Sequence, residues 1–72
     1  MPKLAPLKPL EIERILLKNN FVMNTSKSGH RQYFNPTSKA HTTVPFHSKT
    51  IPIGTLRSIV RQSLLSITLF RS

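Results

Sequence analysis

Ser28-Gly29-His30-Arg31-Gln32-Tyr33 holds the chain's best candidate for chemistry. It sets a histidine beside a glycine, at the expected entry to a β-strand, between Lys27 and Arg31. Imidazole is the side chain whose unperturbed pKa lies nearest neutrality, so it can take or give a proton at cellular pH. On a strongly basic surface, that points to acid–base chemistry on a polyanion. One metal-free reaction that a histidine can serve on such a polymer is RNA cleavage by the substrate's own 2′-hydroxyl, in which imidazole takes the hydroxyl proton or imidazolium protonates the leaving oxygen. The other reading of His30 is an inert strand residue on the surface.

The charge balance narrows the partners. Eleven Lys and Arg stand against two acids, a formal net charge of +9. Such a surface attracts phosphate backbones or acidic proteins. Both acids, Glu11 and Glu13, lie near the start, and two residues apart on a helix they point away from each other. Divalent-metal nucleases and glycosidases need converging carboxylates. The sequence therefore calls for no metal and no cofactor. It has no cysteine, hence no disulfide or thiolate site. The opening residues lack the apolar run of a signal peptide, and no stretch is long enough to span a bilayer. A soluble cytoplasmic protein without a membrane partner is the expectation.

The elements that must position His30 can be read in order. Residues 1–8 are rich in Pro and Lys and are expected to form an irregular basic arm, with a single domain over 9–72. Pro9 suits the first position of a helix, Glu11 and Glu13 suit its first turn, and Ile12, Ile15 and Leu16 form an apolar stripe. Arg14 and Lys18 fall on the wetter side, and Asn19-Asn20 is the expected stop, because Asn tolerates the left-handed conformation. A strand begins at Phe21-Val22-Met23, polar residues Asn24 to Gly29 lead onward, and a second strand covers His30 to Phe34. Asn35-Pro36-Thr37-Ser38 reads as a type I turn. A third strand runs from about Ala40 to Val44, with Pro45 ending it or marking an edge. Leu56, Ile59, Val60 and Leu64 then predict a second helix, on which Arg57 and Arg61 share a face. The tail from Ser66 is expected to add a short turn or to fray.

The fold class is thus α+β, in the order α-β-β-β-α used by double-stranded-RNA-binding domains, with an antiparallel meander and both helices on one face. A chain this short buries only about 60% of its unfolded surface, so Ile12, Leu16, Leu56, Ile59 and Val60 are assigned to the core. Tyr33 and Phe34 face opposite sides of their strand; one packs inside and the other is available to stack on a base.

Two segments resemble the HicA toxin family of small mRNA interferases. The family's Gly-Ser-His with a following aromatic corresponds to Ser28-Gly29-His30-Arg31-Gln32-Tyr33. Its Val-Pro-x-His segment and Gly-Thr-Leu-Arg helix correspond to Val44-Pro45-Phe46-His47 and Gly54-Thr55-Leu56-Arg57. Residues from about 7 to 63 carry the resemblance. The chain departs from the family by the exchange of Gly and Ser, by Asn20 and Leu64 where glycines are usual, and by the lack of acids near Thr68-Leu69.

The resemblance implies a toxin of a type II toxin–antitoxin module. It would cleave mRNA independently of ribosomes, inhibit translation and growth, and use His30 as its catalytic histidine. It also implies a HicB-like antitoxin, and the chain's charge implies that the antitoxin's contact surface is acidic. Lys27, Ser28, Gly29, Arg31, Arg57 and Arg61 are the candidate RNA-binding residues. Arg31 points opposite to His30 on a strand, so Lys27 is the freer of the two flanking cations. His47 is a candidate second acid–base group or a structural turn residue, and His41 looks like a sheet-face residue. The competing reading is a non-catalytic RNA-binding module of the same fold, or a decayed toxin.

Overall fold

A computed structural model describes residues 4–27, 29–46 and 49–70. The order is helix α1 (Pro9–Lys18), strands β1 (Val22–Lys27), β2 (His30–Phe34) and β3 (His41–Pro45), helix α2 (Ile53–Ser63) and a 3-10 turn (Ile67–Phe70). The strands form one antiparallel sheet in the order β1-β2-β3. This is the α-β-β-β-α architecture expected from sequence. Among the described residues no helix is long and apolar enough to cross a membrane.

α1 opens at Pro9, where the missing N–H costs nothing. The Lys8 N–H donates to the Glu11 carboxylate at 2.9 Å, satisfying a donor just ahead of the helix. The stop falls at the asparagine pair. Asn20 takes the left-handed conformation at φ 73, and the Phe21 N–H closes back on the Leu16 carbonyl at 3.1 Å. Phe21 is buried at that closure, the apolar contact that commonly accompanies such a cap.

Alternation divides the sheet into two faces. Tyr33, Thr42 and Val44 are buried on one, under α1 and α2. Ile12 and Leu16 of α1 and Leu56, Ile59 and Val60 of α2 complete that core. Thr42 is a polar member, and its hydroxyl donates to the Gln62 amide oxygen of α2 at 3.0 Å. His30, Gln32, His41 and Thr43 are exposed on the other face.

The structure refines the sequence reading at four places. Residues 4–6 have no regular structure, while Leu7 is buried and its carbonyl accepts the Ile51 N–H at 2.7 Å. Leu7 thus packs with the core. β1 continues to Lys27, through polar residues read as a connection, because both its faces are exposed and need no apolar alternation. The loop after β2 closes over five residues, the Lys39 N–H donating to the Asn35 carbonyl at 2.8 Å, while the Asn35 side chain accepts from the Thr37 and Ser38 N–H groups. Finally, Phe70 is fully buried, so the tail closes the core.

Leu64 is a correction. The α2 stripe ends at buried Ser63, whose hydroxyl donates to the Val60 carbonyl at 2.7 Å. Leu64 is 69% exposed and caps the helix in the left-handed conformation at φ 61. A Cβ is penalised there, and no packing is gained in return. Leu64→Gly is therefore expected to stabilise the fold by about 1 kcal/mol, seen as a higher urea midpoint. An unchanged or lower midpoint would show that the strain is illusory.

Candidate functional site

The site is built at the closed end of the β1–β2 hairpin. Gly29 lies between the strands with φ 76, a conformation glycine adopts without steric cost. Its carbonyl accepts the Phe46 N–H at 2.6 Å, which ties the hairpin end to the end of β3. His30 follows as the first residue of β2, paired with Lys27 on one side and Pro45 on the other.

Lys27 faces the histidine because of a bulge. The register pairs Val22 with Phe34 and Met23 with Tyr33, then shifts between Met23 and Thr25, so that Thr25 meets Gln32 and Lys27 meets His30. Strict alternation would put Val22 and Lys27 on opposite faces; the extra residue, Asn24, puts Thr25 and Lys27 on the open one. Thr25, Lys27, His30, Gln32 and Thr43 then line an open cavity of about 470 Å³. The Thr25 hydroxyl donates to the Gln32 amide oxygen at 3.0 Å, which commits that oxygen and leaves the amide NH₂ to donate. The cavity thus joins an imidazole, an ammonium, an amide donor and a hydroxyl on an uncovered surface.

A second polar cluster lies behind it, on the helix side of the sheet. Arg31 pairs with Glu13 of α1 at 2.9 Å, and the buried Tyr33 hydroxyl donates to the same carboxylate oxygen at 2.5 Å. The Tyr33 hydrogen bond, joined by the Arg31 pairing, holds the Glu13 carboxyl below its ordinary value against the opposing effect of burial. Burial, with Glu13 beside it, pushes the Tyr33 hydroxyl well above its ordinary value. The Arg31 guanidinium also lies over the Phe46 ring, 4.1 Å from its centroid. One carboxylate thus ties α1 to β2 and, through Arg31 and Phe46, to the strand end that holds Gly29.

Of the residues singled out from sequence, the fold brings together His30 and Lys27, with Gly29 at the turn beside them. Arg31 is placed on the opposite face and engaged by Glu13, as strand alternation requires. Arg57 and Arg61 are exposed on α2, which packs on the covered face and does not line the cavity of His30. Ser28 and His47 lie outside the described residues. Tyr33 is the core aromatic, and Phe34 and His41 share the open face. Gln32, Thr25, Thr43 and Glu13 were not foreseen. Gln32 was within reach, since it stands two residues from His30 and must share its face. Thr25 needed the bulge, and Glu13 needed partners far away in sequence.

Comparison with known proteins supplies a family. The model of a family described as HicA toxin of bacterial toxin-antitoxin matches residues 11–65, from α1 through the end of α2. No curated protein matches the chain.

Proposed function

Because the chain belongs to the HicA toxin family, the toxin side of a bacterial toxin–antitoxin pair, we propose that it is an endoribonuclease that cleaves mRNA without metal or ribosome, with His30 as its acid–base group. The observation that carries this reading is His30 in an open cavity with Lys27 directly across the hairpin, in a chain of net charge +9.

The reaction needs few parts. The 2′-oxygen of one ribose bonds to the adjacent phosphorus, and the bond from phosphorus to the 5′-oxygen of the next nucleotide breaks. A neutral His30 takes the 2′-hydroxyl proton, or a protonated His30 supplies the proton that the leaving 5′-oxygen needs. Charge that builds on the phosphate oxygens meets the Lys27 ammonium and the Gln32 NH₂, the amide being oriented by its bond from Thr25. The products are a 2′,3′-cyclic phosphate and a 5′-hydroxyl, and DNA is not a substrate because it lacks the nucleophile.

The family pairs its toxin with a HicB antitoxin. In the proposed complex the antitoxin presents acidic groups to the basic surface around His30 and competes with RNA, and salt weakens the association. The protein is expected to act in the cytoplasm, where mRNA is translated.

The test is incubation of purified protein with RNA and EDTA, in the absence of ribosomes, followed by analysis of the new ends. Cyclic or 3′-phosphate ends are expected, and 2′-deoxy substitution at the cut position is expected to block cleavage there. Cutting that stops in chelator, or that proceeds at a deoxy position, rules out this mechanism.

A further inference from the structure

The Phe34 and His41 rings stand directly opposite each other on β2 and β3, with centroids 4.7 Å apart and planes tilted by 44°. They occupy the open face, at the far end of the row that begins with His30. Positions 30, 32 and 34 of one strand share a face, so His30, Gln32 and Phe34 lie in line along β2. Four residues of strand set the two ends about 13 Å apart. Gln32 and Thr43 fill the row between them, paired across β2 and β3.

An aromatic pair of this kind can be no more than a cross-strand staple. Its setting argues for more. The helices cover only the other face, and both acids of the chain sit on α1, away from these rings. A polyanion can therefore follow the row without meeting a like charge, anchored by Lys27 at one end.

We propose that the Phe34–His41 pair is a base-stacking subsite for single-stranded RNA, holding one nucleobase a few nucleotides from the bond aligned at His30. Duplex RNA cannot use such a site, because its bases are already stacked inside the helix and only its backbone and groove edges face a protein. Stacking also requires no particular base, since every base has a π-face. The subsite therefore selects unpaired substrate and positions it, with little sequence preference. It rests on the ribonuclease reading and gives that reading its substrate class.

The experiment separates the two. A short single-stranded RNA carrying 2′-O-methyl groups throughout cannot be cleaved but keeps all its bases. Its affinity is measured by fluorescence anisotropy, with abasic positions introduced one at a time. Phe34→Ala is expected to weaken binding on the order of tenfold or more, while Phe34→Trp keeps the affinity. His41→Ala, at an exposed position, gives the same direction of change should Phe34→Ala fold poorly. One abasic position is expected to weaken binding to the parent protein and to cost nothing further in Phe34→Ala. Parent-like affinity in His41→Ala and in a folded Phe34→Ala, or a loss spread evenly over all abasic positions, overturns the subsite. Ring variants that bind RNA normally but lose affinity for the antitoxin overturn it in favour of a protein contact. Cleavage that survives His30→Ala while the abasic pattern holds overturns the catalytic reading alone.

Discussion

His30→Ala is expected to slow RNA cleavage by on the order of a hundredfold to ten-thousandfold, the usual contribution of a positioned acid–base group. The same substitution should relieve growth inhibition when the protein is expressed without its antitoxin. His30 is exposed at the start of β2, so its removal takes little from the core. The thermal midpoint should stay close to the parent's, and RNA affinity should fall only slightly, because Lys27 and the aromatic row remain. A variant that folds, binds RNA and cleaves at the parent rate would remove His30 from the chemistry. One that neither folds nor binds would show that its role is structural.

The second large effect is expected on the covered side of the sheet. Glu13→Ala strands the Tyr33 hydroxyl, whose carbon framework is fully buried and whose acceptor is that carboxylate. Leaving a buried hydroxyl without its partner costs about 1–3 kcal/mol, a large share of the stability of so small a domain. The Arg31 pair adds less, because the guanidinium side chain is 34% exposed and water screens it.

The same site sets the pH dependence. In the folded chain the Glu13 carboxyl titrates below its ordinary value of 4.5, since ionised Glu13 is the better acceptor for Tyr33 and partner for Arg31. Its contribution is complete above about pH 4.5 and is lost as the pH falls through the lower folded value. Tyr33 works in the opposite sense. Its hydroxyl titrates above the ordinary 10.0 in the folded chain, so its contribution is complete below about pH 10 and declines as the pH rises further. Urea midpoints measured across the acid range should fall more steeply in the parent than in Glu13→Gln. Identical slopes in the two proteins would show that the carboxylate is not the acid-sensitive link.

Much of this molecule was legible in its sequence because the signals were local. Pro9 and the asparagine pair bounded α1, and the apolar spacing of α2 identified Leu56, Ile59 and Val60. The alternation of β2 by itself places His30 and Arg31 on opposite faces. Periodicity failed where it was extended past a helix end: Leu64 continues the numerical stripe of α2, but the chain has already turned left-handed there. It also failed at β1, which is exposed on both faces and carries no alternation to read. Which of Tyr33 and Phe34 entered the core depended on the face the helices chose, which the strand alone does not encode. The Glu13 cluster was invisible for a different reason. Its partners lie on another element, so it exists only once α1 and the sheet have docked.

The bulge at Asn24 has an effect beyond aiming Lys27. Among the described residues β1 is a terminal strand, and its outer side presents backbone donors and acceptors with no neighbouring strand. A straight, apolar strand in that position invites a second copy to zip on, and chains left alone at high concentration aggregate by that route. A bulge such as this one bends its strand, and a charged lysine on an edge strand discourages such pairing. The irregularity that brings Lys27 beside His30 is thus also a device against edge-to-edge pairing of one copy with another.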